Sequence, residues 1–198
     1  MGQLSKQRQV FTEQYIRESV YAAVLQVLMQ YGLEGLTVKR VAQAAKLATG
    51  TLYNYFKDKD ALLVYAAIRL FDEIRQRQLD AIGQVKRPDK KLLAFVNATF
   101  VFFASNIEFF RFLDQAQVYS KIDLPIKHKH LDQESRALSA IIQQGIDAGT
   151  FNPVNVKETA AFFQRAVAGT LCINTELEAF DPKKEATMLT KMLLVHLS

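Results

Sequence analysis

Residues Thr37–Lys59 read TVKRVAQAAKLATGTLYNYFKDK. The stretch divides into two short helical patterns joined by a tight turn. Thr37 carries the hydroxyl suited to cap the first helix, predicted over Val38–Ala45. Val41, Ala42 and Ala45 face inward, and the two alanines are small enough for another helix to cross closely. After Lys46-Leu47-Ala48 a second helix is predicted over Thr49–Phe56, with Leu52 and Phe56 one turn apart on its inner face. Thr49, Gly50, Thr51, Tyr53, Asn54 and Tyr55 are left outside. That set is polar, hydroxylic and slim, as entry into a major groove and contact with base edges require. Lys39, Arg40, Lys46, Lys57 and Lys59 against Asp58 give a local charge of +4 within 23 residues. Basic charge gathered on one short segment is a footprint of phosphate binding, the alternative being a solvated helix face.

Working outward, Tyr15, Val20, Ala23, Val24, Val27, Leu28 and Tyr31 recur at spacings that put one apolar stripe on a helix from Thr12 to Tyr31. Gly32 is placed to end it, and Gly35 to permit a backbone turn that a β-branched residue resists. Beyond the basic stretch, a long helix over Lys59–Val85 buries Leu62, Leu63, Ala66, Ala67, Leu70, Phe71, Ile74 and Leu79 until Pro88 breaks it. Helices follow at Asp89–Ser105, Ile107–Tyr119 and Gln133–Ala148. Another runs from Asn155 or Val156 to Ala179, and the last from Pro182 to His196. Ser120–His130, with Pro125 and alternating charges, reads as a loop. No strand pattern or repeat is visible, and Gly and Pro together number only 12 in 198 residues. The fold class is therefore all-α, with about nine helices by apolar periodicity.

In this order, residues 22–63 resemble the tetracycline-repressor (TetR) family of bacterial transcription regulators. The elements are a helix ending in Tyr31-Gly32, then GLTVKRVAQAA, then TGTLYNYFKDKDALL. The resemblance implies an N-terminal helix-turn-helix DNA-binding domain, residues 1–60, and a larger helical effector-binding and dimerisation domain, residues 61–198. It makes Lys39, Thr49, Gly50, Thr51 and Tyr55 candidates for base-edge or groove contacts, and Thr37, Tyr53, Asn54 and Lys59 candidates for phosphate contacts. Tyr53 and Tyr55 diverge by about 200° around a helix, so one of them has half-buried packing as its alternative. Two departures stand out. Lys46 occupies a turn position where the family usually has Gly, and Ala48 a capping position where it usually has Ser or Thr.

The implied function is a cytoplasmic, nucleoid-associated repressor, working as a homodimer on a palindromic double-stranded operator and released by a small lipophilic or aromatic effector. The long helix from Lys59 is the expected lever between DNA and effector. Seven Phe fall between Phe95 and Phe112, interleaved with polar residues. Phe95, Thr99, Phe102, Phe103, Phe109, Phe112, Gln115 and Tyr119 are the candidate effector pocket, with ordinary core packing as the alternative. Phe163, Val167, Leu171, Leu189, Met192, Leu193 and His196 form apolar stripes on the last two helices and are the candidate dimer interface, the alternative being packing within the chain.

Rival classes find less support. A DNA-binding regulator without an effector is the alternative. No G-x-S-x-G or phosphate-binding loop marks an enzyme, and no cofactor is implied. His128 and His130, two apart, lack the helical zinc spacing. The lone Cys172 fits a reducing compartment and reads as packed within an apolar run. No uncharged apolar stretch approaches the length of a membrane span, so no membrane partner is expected.

Overall fold

The computed structural model describes residues 2–174 and 180–198, with side chains described from Glu13 onward. Every regular element among them is helical: α1 Gly2–Gly35, α2 Val38–Ala44, α3 Thr49–Tyr53, α4 Lys59–Gly83, α5 Pro88–Ser105, α6 Ile107–Gln115, α7 Val118–Lys121, α8 Leu124–Asp147, α9 Val156–Asn174 and α10 Pro182–Leu197. The described residues thus hold ten helices, in keeping with the all-α fold of about nine expected. The chain forms two compact units, residues 1–70 with 111–122, and residues 71–110 with 123–198. The division falls inside α4, after Leu70, whereas the expected boundary at residue 60 lies within the first unit.

In the first unit, α1 packs on α2 and α2 on α3. Gly32 turns out of the helix at φ 65°, as the left-handed terminus expected of it requires. Gly35 serves a different purpose from the one expected, because its own φ is not left-handed. A Cβ there would lie 2.4 Å from Tyr31 Cβ, so close approach of backbone and side chain excludes one. The apolar stripe of α1 is corrected at both ends. Tyr15 and Tyr31 are exposed, while Ile16 is buried with Val20, Ala23, Val24, Val27 and Leu28. An amphipathic Tyr at a stripe's edge keeps its hydroxyl wet at little cost.

In the second unit, α5 packs on α8, α9 and α10, and α8 on α9. Leu92, Phe95, Phe100, Leu138, Ile142, Ala160, Phe163, Val167 and Leu197 form the core. Three sequence expectations fail. Ser120–His130 is not a loop, because Pro125 sits in the first turn of α8, where its missing N–H costs nothing. The helix expected to run through Tyr119 stops at Gln115, and left-handed Gln117 (φ 50°) separates it from the short α7. Leu79 is exposed, and the buried position on that turn is Gln78. α9 is described to Asn174, so the expected continuation to Ala179 lies outside the described residues.

Candidate nucleic-acid interface

The head is anchored from inside. Leu52 is fully buried, Phe56 nearly so, and Val41 and Ala42 of α2 meet them in the same core. Ala45, expected alongside, is only half-buried. Thr37 caps α2 as predicted, its Oγ1 accepting the Arg40 amide at 3.2 Å. Arg40 is part of the scaffold. Its Nη1 donates to the Gly35 carbonyl at 2.7 Å and its guanidinium lies 4.9 Å from the Tyr31 ring centroid.

The turn carries the two departures noted in the sequence. Lys46 adopts φ 57°, the left-handed region where glycine is unstrained and other residues are disfavoured. Ala48 is the N-cap of α3 and supplies no side-chain hydrogen bond. α3 itself is five residues long, shorter than predicted, but Phe56 N still donates to Leu52 O at 2.9 Å, so the turn continues to the second anchor.

With Leu52 and Phe56 inward, the outer surface is the predicted one. Gly50, Tyr53, Asn54 and Tyr55 are exposed, with Thr49 and Thr51 at its edges. Tyr53 is 54% exposed and Tyr55 39%, so neither is packed away. Lys39 and Lys46 are exposed. Lys59 is engaged elsewhere. Its Nζ donates to the Leu33 carbonyl at 2.5 Å, tying the start of α4 to the end of α1. One of the three ammonium donors thus braces the head, and the positive charge remains. Tyr65, whose hydroxyl donates to Arg17 O at 2.8 Å and whose ring meets Phe56 at 5.1 Å, is a supporting residue the sequence reading passed over.

A head of this construction has counterparts. Residues 20–66 match the family model described as "Bacterial regulatory proteins, tetR family". The head is similar to that of TetR-family regulators. Similar curated proteins include the class D tetracycline repressor of Escherichia coli, 37% identical over 68 residues, which are 34% of this chain and 31% of that protein. The transcriptional repressor KstR of Rhodococcus jostii is 39% identical over 68 residues, 34% of this chain and 32% of its own. The match thus spans about a third of the length of these curated relatives. Beyond the head the similarity is one of fold. The regulator PfmR of Thermus thermophilus superposes with a TM-score of 0.67 at 20% identity, covering 90% of this chain and 98% of its own. The regulator FadR of Bacillus subtilis, solved in complex with stearoyl-CoA, gives 0.71 at 18%, covering 91% and 99%.

In the second unit the candidate residues divide. Phe95, Thr99 and Phe103 are buried in the packed interior, and Phe103 meets Phe110 at a tilt at 4.5 Å and Phe180 edge-on at 5.8 Å. Phe109 is buried too. Phe102 borders an open groove of about 530 Å³ with Arg77, Asp80, Asn97, Val101 and Asn106. Arg77, paired with Glu73 at 2.8 Å, lies 4.8 Å over the Phe102 ring. Phe112, Gln115 and Tyr119 belong to the first unit, where Phe112 is half-buried and the other two are exposed.

A buried polar network escaped the sequence reading. Gln78 Nε2 donates to Thr99 Oγ1 at 2.9 Å and to Glu134 Oε1 at 3.4 Å, while Gln164 Nε2 donates to Glu134 Oε2 at 2.9 Å. Burial pushes the Glu134 carboxyl above the usual carboxylate range, and the two amides only partly oppose this. His130, one turn earlier and 4.0 Å from Asp72, is lowered chiefly by its own burial. Isolated Gln and Glu within apolar periodicity look like surface residues, so only the fold could bring these together.

The stripe expected to pair is largely turned into the chain's own core. Phe163, Val167 and Leu193 are buried within their own chain, with Leu171 and Leu189 packed beside them. Exposed instead are Phe162 and Ile173 on α9, and Met188, Met192 and Val195 on α10. Of the residues predicted, Met192 and His196 lie on the outside. Cys172, expected to be packed, is also exposed there.

Proposed function

We propose that the chain is a homodimeric DNA-binding transcriptional regulator controlled by a lipophilic small molecule. The observation that carries the DNA reading is the division of α3. Leu52 and Phe56 hold it from below, leaving Gly50, Tyr53, Asn54 and Tyr55 to solvent with no acidic residue among them. Phosphate contacts from Thr37, Tyr53 and Asn54 would set position, and Lys39, Thr49, Gly50, Thr51 and Tyr55 would read base edges or the groove. One such helix covers few base pairs, so two heads on a palindromic site are required for useful specificity. Phe162, Ile173, Met188, Met192 and Val195 would supply the pairing surface, since a lone soluble chain rarely leaves so much apolar area open.

The effector reading rests on the aromatic richness of the body and on the acyl-CoA complex of the similarly folded FadR. A long acyl chain or comparable lipophile would act only by binding the DNA-competent and DNA-incompetent states unequally. The test begins with selection of duplexes from a random-sequence library by the purified protein. Enrichment of a palindrome with half-sites about one helical turn apart is the expected result. Failure to enrich any duplex overturns the DNA reading. Release of the selected duplex by stearoyl-CoA or a medium-chain analogue supports the effector class, whereas binding of the lipophile without release overturns the switch.

A further inference from the structure

The turn between α2 and α3 holds Lys46 at φ 57°. Only one other residue with a side chain, Gln117, takes such a conformation among the described residues. The strained position gains nothing from the chain itself. The Lys46 amide donates to Gln43 O at 3.1 Å, a bond any residue would make, and its side chain is exposed with no acidic partner among the described residues. Asp58, the one carboxylate in the basic stretch, faces Lys57 at 3.9 Å and accepts from the Ala61 amide at 2.8 Å. Two residues on, Ala48 begins α3 without any hydroxyl or carboxamide to offer a phosphate. Lys59 commits one donor to the Leu33 carbonyl. The edge of the proposed DNA face therefore lacks a capping side chain at Ala48 and has one unpaired ammonium on a stiff turn beside it.

We propose that Lys46 is a phosphate-binding residue of this head, its ammonium clamping the DNA backbone at the α2–α3 turn in place of a capping hydroxyl. The inference rests on the DNA-binding reading above. It concerns position and not sequence choice, because an ammonium on a phosphate carries no base information. A lysine is suited to the task as a compact charge on a flexible stem.

The test uses the full chain and the duplex it enriches from a random library, with affinity measured between low and moderate salt. Removing one lysine–phosphate interaction lowers the slope of log K against log salt by about 0.9 per protomer. Lys46→Gln should bind more weakly at low salt with a slope reduced by that amount, and should select the same sequence. Lys46→Arg should keep the wild-type slope. Lys183→Gln, in the other unit, controls for net charge and should leave the slope unchanged. A Lys46→Gln slope equal to wild type overturns the assignment while the DNA reading stands. A changed consensus sequence also overturns it, since the side chain would then be reading bases. If no duplex is enriched, both readings fall.

Discussion

The α3 turn and the α9–α10 pair each leave one face uncovered, and the two faces are opposite in chemistry. The first shows Gly50, Tyr53, Asn54 and Tyr55 beside Lys39 and Lys46. The second shows Phe162 at 67% exposure, Ile173 at 66%, Met192 at 63% and Val195 at 79%. A polar, cationic face suits a hydrated polyanion, whose affinity comes largely from counterion release. An apolar face of helices suits another copy of itself, where burial supplies the free energy. The contrast assigns different failures to each region: damage to the first should cost DNA and spare assembly, and damage to the second should do the reverse.

The register of α9 offers the sharpest way to break that contrast. Phe163 is 2% exposed and Phe162 is 67% exposed, one position apart. Phe163→Ala should destabilise the fold by about 3–5 kcal/mol, as truncation of a buried aromatic does. Phe162→Ala should leave thermal unfolding of dilute protein nearly unchanged. Equal effects of the two on melting would mean that the face taken as open is filled within the chain. Val195→Asp comes next. A charge set into an apolar interface should shift the monomer–dimer midpoint by 10-fold or more, about 1.4 kcal/mol or above, in sedimentation equilibrium. A monodisperse monomer for the wild type would remove the pairing role altogether.

On the polar face, Tyr55→Ala should weaken binding of the selected duplex by about 1–3 kcal/mol and relax preference at one base position, with assembly unaffected. Uniform weakening across sequences would make Tyr55 a positioning contact instead. A fourth measurement concerns the buried polar network, which belongs to neither face. Glu134 holds its proton more tightly when folded than when unfolded, because burial penalises the charged carboxylate. The folded state therefore binds more protons, and this contribution to stability is present below the unfolded value, near 4.5, and is lost as pH rises through the raised folded value. His130, lowered by burial, contributes a slope of opposite sign below its ordinary 6.5. Glu134→Gln should remove the falling component of melting temperature with pH and leave the His130 component in place.

How much of this was legible follows from the same contrast. The head is specified by local signals: a Thr cap, two small residues and anchors one turn apart. Each constrains its neighbours within a few residues, so the inner and outer sets of α3 could be separated before any fold was known. α9 reads AAFFQRAVAGTLCI, apolar on two faces. Period 3.6 then yields one stripe through Phe163 and Val167 and another through Phe162 and Ile173, and nothing local tells which is inward. Packing against α5 and α8 decides it. The same holds for Gln78, whose burial depends on Thr99 and Glu134 meeting it from helices distant in sequence. Pro125 misled for a different reason, since the first turn of a helix and a loop accept proline equally well.

At Lys46 the backbone takes a conformation that local rules disfavour, and the expected effect of changing it is the smallest. A left-handed conformation costs a residue with a Cβ about 1 kcal/mol relative to glycine. Lys46→Gly should recover most of that in the folded state, less what glycine's greater freedom adds to the unfolded chain. The net gain is therefore a fraction of a kilocalorie, a rise of a degree or two in melting temperature, read by calorimetry. DNA affinity should fall in the same variant. A protein more stable and less able to bind is what a strained residue kept for its charge predicts. A variant more stable with binding intact would leave the lysine without a reason to be there.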